Sequence, residues 1–145
     1  MCIRDRMPAD KTRWLELWSE YLVFYGVQLP DSQTELTWSR LMDSSEIFGL
    51  GAYRDGMLVG FCHYSFTYST WSETRDLYLE DLYVEKSQRR AGIATQLITM
   101  LDHIAKTGES SRIWWHTMES NSTARALYDK IAVKTGFIKY ERNVH

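Results

Sequence analysis

The chain reads as a single α/β domain built around a strand-helix-strand crossover. Three observations point there. Leu77 to Val84 is a mostly apolar strand-length run. A short basic turn, Arg89-Arg90-Ala91-Gly92-Ile93-Ala94, leads from it into the helical pattern of Thr95 to Leu101 and on to about Lys106, and Arg112 to Met118 then alternates as a second strand. Upstream, Asp55-Gly56 separates two β-rich runs, the signature of a hairpin. Strands joined through a helix must lie parallel and hairpin strands antiparallel, so the sheet is mixed.

Taken in order, Trp14, Leu17, Trp18, Tyr21, Leu22 and Tyr25 recur at helical spacing after Asp10, predicting a first helix to Tyr25 that Gly26 stops. Ser32-x-x-Glu35 predicts a capping box opening a second helix that carries Leu36, Trp38, Leu41 and Met42. Phe48 to Tyr53 and Met57 to Tyr68 form the hairpin, and Gly92 starts the crossover helix. Asn121-Ser122 caps a fourth helix with Ala124, Leu127, Tyr128 and Ile131 on one face. Gly136 to Glu141 reads as a final strand. Arg4-Asp5-Arg6 alternates poorly, which predicts a truncated first strand and leaves Met1 to Arg6 readable as chain foreign to the fold.

Composition narrows the function. A net charge of −2 without any lysine-arginine block longer than a pair argues against nucleic-acid binding. No apolar run approaches the roughly 20 residues that span a bilayer, and no signal-peptide core opens the chain, so a cytoplasmic location is expected. Cys2 and Cys62 lie far apart, and the four histidines lack ligand spacing, so neither a disulfide nor a metal site is expected.

The turn at Gly92 carries the chemistry. The first turn of a helix leaves backbone N–H groups without intrahelical partners and concentrates partial positive charge, which suits a phosphate. Gly92 lets an anion approach the backbone, Ala94 keeps the next turn uncluttered, and Arg89 and Arg90 can add charge-assisted contacts. Neither G-x-x-x-x-G-K-[ST] nor G-x-G-x-x-G is present. Glu80-Asp81 is the second oddity. Neighbours on a strand point to opposite faces, so a regular strand covered on both sides buries at least one of these carboxylates, at several kcal/mol if unpartnered.

R-x-x-G-x-A at Arg89 to Ala94 resembles the acyl-CoA pyrophosphate loop of the GNAT N-acetyltransferases. Asn121-Ser122-Thr123-Ala124-Arg125-Ala126-Leu127-Tyr128 resembles that family's second cofactor segment, N-x-x-A-x-x-[LF]-Y. Four segments match in order from Phe48 onward. Leu79-Glu80-Asp81-Leu82 and Tyr68-Ser69-Thr70-Trp71 are closest to the diamine, polyamine and histone acetyltransferase branch. The resemblance implies a mixed sheet of about six or seven strands with about four helices, whose two central parallel strands splay. It implies acetyl-CoA as co-substrate, held by the backbone of Leu82, Tyr83 and Val84, by Arg89, Arg90, Ala91, Gly92, Ile93, Ala94 and Thr95, and by Asn121. The Leu82 N–H, or its neighbour, would polarise the thioester carbonyl.

By the same resemblance Glu80 takes a proton from the incoming ammonium and Tyr128 protonates the departing thiolate. Trp71 walls the acceptor pocket, Asp81 gives support or attracts the substrate, and two copies pair through their last strands. The activity implied is direct transfer of acetyl to a primary amine such as a diamine or polyamine. A protein or peptide acceptor, or a non-catalytic acyl-CoA-binding module, stays open.

Overall fold

The computed structural model describes residues 2–5, 8–43, 45–89 and 92–145. They fall into two compact units, Met1–Trp115 and His116–His145. The first holds a five-stranded sheet in sequential order, with β1 (Cys2–Asp5), β2 (Ile47–Arg54), β3 (Met57–Tyr68) and β4 (Arg75–Val84) antiparallel and β5 (Arg112–Trp114) parallel to β4. Asp55 and Gly56 both take positive φ, 52° and 77°, the conformation a two-residue hairpin turn demands. Among the described residues five strands stand where six or seven were expected. Residues 136–141 are irregular because a strand exists only by pairing; Phe137, Ile138 and Tyr140 stay exposed there instead.

Helices cover both faces of the sheet. The stripe on α1 (Lys11–Tyr25) puts Trp14, Leu17 and Trp18 into a core with Trp38 of α2 (Asp31–Asp43) and Tyr53, Leu58, Phe61 and Tyr83 of the sheet. Gly26, at φ 66°, ends α1 in the left-handed conformation. α2 starts at Asp31, one residue before the expected Ser32, directly after Pro30, whose carbonyl accepts from the Gln33 and Thr34 N–H groups. The Glu35 carboxylate reaches Lys11 Nζ at 2.7 Å, an ion pair that takes the place of the expected capping box. On the other face, α3 (Ile93–Thr107) buries Ile93, Leu97, Ile98, Leu101 and Ala105.

β1 is short but belongs to the sheet, pairing from Cys2↔Tyr53 to Asp5↔Leu50. Arg4 lies over the Tyr53 ring, 3.7 Å from its centroid, so its charged side chain has a place that an alternation count does not foresee. β5 pairs with only three residues of β4, from Asp76↔Arg112 to Tyr78↔Trp114, and is shorter than the run read from the sequence. Residues 79–84 of β4 therefore have β3 on one side and, among the described residues, no strand on the other. In the second unit α4 (Ser122–Ile131) opens on Asn121, whose side chain accepts from the Ala124 N–H.

Candidate active site

The open half of β4 begins at a defect in the ladder. His63 pairs with Asp81 and Tyr64 with Leu79, so Glu80 is an extra residue that the register of the two strands skips. This β-bulge inverts which side chains face which helix. Before it, Leu77 lies opposite Phe66, which lines a cavity with His103 and Ile104 of α3. After it, Val84 shares that face, its methyl and that of Ile93 both lying 3.4 Å from where a Gly60 Cβ would stand. Seven positions separate Leu77 from Val84, an odd number that an unbroken strand places on opposite faces.

The bulge resolves the problem of adjacent carboxylates. Glu80 is exposed, while Asp81 turns toward α1, where its side chain is 16% accessible and both oxygens accept hydrogen bonds. Tyr21 Oη donates to Oδ1 at 2.7 Å and His63 Nδ1 lies 2.9 Å from Oδ2. On the far side of the imidazole, Trp14 Nε1 donates to His63 Nε2 at 3.2 Å. An indole N–H can only donate, so Nε2 is the acceptor and the ring proton sits on Nδ1, aimed at Asp81. Burial, then the Asp81 charge and hydrogen bond, push the Tyr21 phenol well above its ordinary value, with Glu80 adding in the same direction.

This network was missed in the sequence. By sequence pattern Tyr21 is one more residue of the apolar stripe and His63 one of four histidines without ligand spacing. The available signal was a histidine at the strand spacing of Phe61, facing a helix whose polar-tipped aromatics could partner it.

Beyond the bulge, the ladder fixes where the backbone points. Glu85 N–H donates to Val59 O at 2.8 Å, so the Glu85 backbone faces β3. By antiparallel alternation, Leu82 and Val84 then aim N–H and C=O away from β3, to the open side, whereas Tyr83 aims toward it. The Val84 carbonyl accepts from Arg89 Nε at 3.1 Å, which anchors the arginine beside the turn, its guanidinium carbon 5.4 Å from the Tyr83 ring centroid. A 3-10 turn at Lys86–Gln88 leads to Gly92, at φ 75°. Among the described residues nothing lies within 4 Å of where a Gly92 Cβ would stand. The first intrahelical bond runs from Gln96 N to Gly92 O, leaving the Ile93, Ala94 and Thr95 amides at the helix mouth. Arg90 and Ala91 lie outside the described residues.

These residues fit a coenzyme A: an outward-facing strand edge suits the amides of its arm, and a helix N-terminus with an anchored arginine suits its diphosphate. Trp71 sits in the β3–β4 loop, 77% exposed, its N–H donating to Ser69 Oγ. That is the other end of β4, five strand residues or roughly 15 Å from Arg75 to Glu80. Asp76, next to Arg75 in β4, is 4% accessible and its Oδ2 accepts from Arg112 Nη2 at 2.7 Å. Asn121 and Tyr128 stand on α4, in the second unit; Asn121 caps the helix and Tyr128 is half-buried two turns on.

A model of the acetyltransferase (GNAT) family matches residues 12–132. The chain belongs to the GNAT family. This GNAT protein is similar to a D-amino-acid N-acetyltransferase of Saccharomyces cerevisiae, 31% identical over 139 residues that cover 94% of this chain and 86% of the relative. It is also similar to a thialysine N-epsilon-acetyltransferase of Bos taurus, 32% identical over 77 residues covering 53% of this chain and 45% of the relative. Among solved structures, a probable acetyltransferase superposes with a TM-score of 0.86 at 25% identity, over 100% of this chain and 99% of the other. The GNAT protein is accordingly an acetyl-CoA-dependent N-acetyltransferase.

Proposed function

We propose that this single GNAT domain transfers acetyl from acetyl-CoA directly to the primary amine of a small molecule, of the diamine, polyamine or related class, with both substrates held at once along the open half of β4. The observation that carries the reading is the continuity of three features: the bulge at Glu80, the outward-facing edge at Leu82 and Val84, and the open helix mouth at Gly92. Acetyl-CoA supplies the activated acyl group. The Ile93, Ala94 and Thr95 amides with Arg89 hold its diphosphate, and the Leu82 and Val84 edge with Tyr83 between them orients its arm.

Glu80, exposed at the bulge, accepts the proton that the ammonium must lose before it can attack. Asp81, with both oxygens engaged, gives support. Tyr128, with a phenol proton, suits protonation of the departing thiolate, and Asn121 contacts the arm while capping α4. Trp71 supplies an aromatic surface for the distant, cationic part of an elongated amine. Exposed Phe137, Ile138 and Tyr140 support pairing of two copies through the terminal segment. Among the described residues Cys2 and Cys62 form no disulfide, which fits a reducing cytoplasm, and no helix is long and apolar enough to cross a membrane.

A second reading, the α-amine of an amino acid as acceptor, is favoured by the yeast relative, because that match covers nearly the whole chain. The test is acetyl-CoA-dependent thiol release with spermidine, 1,3-diaminopropane, thialysine, D-alanine and a lysine peptide. Fastest release with a diamine or polyamine supports the first reading and with D-alanine the second. Release with the peptide alone overturns both.

A further inference from the structure

The last turns of α1 run beside the cofactor end of β4, and two side chains one turn apart meet it. Glu20 accepts from Tyr83 Oη at 3.1 Å. Four residues on, the Phe24 ring centroid lies 6.0 Å from the Arg89 guanidinium carbon, which is also 5.4 Å from the centroid of the Tyr83 ring. Residues four apart share a helix face, so one face of α1 meets both the strand and the arginine. The surroundings are firmly held. Tyr83 is 7% accessible and belongs to the core with Trp14, Trp18 and Phe61. The Gly26 and Val27 N–H groups close the end of α1 onto the Val23 and Leu22 carbonyls, which fixes the backbone that carries Phe24. Phe24 itself is 54% exposed, so its ring can be exchanged without opening a cavity.

We propose that Phe24 is a positioning residue for the cofactor: with Tyr83 it holds the Arg89 guanidinium in the orientation that meets the diphosphate of acetyl-CoA, a role that rests on the reading of Arg89 as a diphosphate ligand. The Nε bond to the Val84 carbonyl at 3.1 Å sets where the guanidinium sits, and the ring contacts set how its plane lies. Arginine has many rotamers to lose when an anion arrives. One already held against two rings has lost them beforehand, so the complex forms with less ordering left to do. Phe24 does not need to touch the cofactor for this. A helix on one face of the sheet thereby serves the binding turn that opens the helix on the other.

The experiment is calorimetric titration of acetyl-CoA into the full chain as wild type, Phe24→Leu, Arg89→Gln and the pair, with thermal melts to confirm folding. Expected is a Kd raised about tenfold or more by Arg89→Gln, through loss of a charge-assisted contact, and about two- to fivefold by Phe24→Leu. Phe24→Tyr keeps the ring and should restore wild-type affinity. In the Arg89→Gln background Phe24→Leu should leave Kd unchanged, because no guanidinium remains to be held. A ring that met the cofactor directly, or merely braced the fold, would weaken binding by the same factor in both backgrounds, and that result overturns the proposal while leaving Arg89 as a ligand. Wild-type affinity in Phe24→Leu, or a Phe24→Tyr that binds as weakly as Phe24→Leu, does the same. Wild-type affinity in Arg89→Gln removes the arginine from the diphosphate, and the proposal with it. If Phe24→Leu does not fold, Phe24→Met takes its place in the cycle and is judged by the same outcomes.

Discussion

Replacing Asp81 by Asn tests the buried network directly, because the structure dictates what an amide can and cannot do there. Both partners of Asp81 donate: Tyr21 Oη to Oδ1 and, given the proton placement that Trp14 enforces, His63 Nδ1 to Oδ2. Asn offers one acceptor oxygen and one NH2 group, so one partner meets a donor head-on. A hydrogen bond to a charged group contributes about 1.5–3 kcal/mol, and the orphaned donor adds a desolvation cost, so Asp81→Asn should destabilise by about 3 kcal/mol. Tyr21→Phe alone removes one donor and should cost about 1–2 kcal/mol. In the Tyr21→Phe background the amide can turn its NH2 toward the space of the missing hydroxyl, and Asp81→Asn should then cost only about 1 kcal/mol. The assay is urea unfolding of the four proteins at neutral pH. A coupling of roughly 2 kcal/mol is expected, and strict additivity would refute the network. A nearly silent Asp81→Asn would refute the proton placement, since an Nδ1 lacking its proton could accept from the amide.

Gly92→Ala should destabilise by about 1–2 kcal/mol through its left-handed φ alone, since a Cβ meets open space, and Gly92→Asn should cost less; thermal melts decide, and a larger loss would mean an unseen clash. Tyr128→Phe should lower turnover by roughly ten- to a thousandfold while calorimetry finds acetyl-CoA binding unchanged; full turnover removes Tyr128 from the reaction. Stability should also fall above pH 10. Burial, then the Asp5 charge, push the Tyr64 phenol up to about 12, so the folded chain keeps a proton that the unfolded chain releases from its ordinary value near 10. The stabilisation is complete below pH 10 and fades toward pH 12 at about 1.4 kcal/mol per pH unit, with Tyr21 adding a fall of the same sign; Tyr64→Phe should flatten the decline in denaturant melts between pH 9.5 and 11.5.

Much of the first unit could be read from the chain because local chemistry and tertiary packing agree there. The Trp14 to Tyr25 stripe, the Asp55-Gly56 turn and the crossover through Gly92 each have one low-energy solution. Elements that depend on a distant partner were not legible. Glu35 matches a capping box by pattern, but Lys11 of another helix claims its carboxylate. Residues 136–141 alternate like a strand without having a ladder to join. At the site, the phosphate-friendly turn was visible because helix-terminus chemistry is local. The opposite placement of Glu80 and Asp81 needed the bulge, which no count of polar and apolar residues reveals, since it appears only when β4 is laid against β3.

The supernumerary residue in β4 also bears on which changes this chain can absorb. Swapping the letter at position 80 alters a functional group and leaves the strand's two ends pointing where they did. Deleting it would leave six positions between Leu77 and Val84 and make the ladder regular, with Asp81 following Leu79 directly. Asp81 and Tyr83 would keep the side they hold now and Leu82 and Val84 theirs, so the carboxylate would still meet Tyr21 and His63. At this spot the sheet tolerates a change of length as well as of identity: variants with other side chains at position 80 and the strand shortened by one should both yield soluble protein.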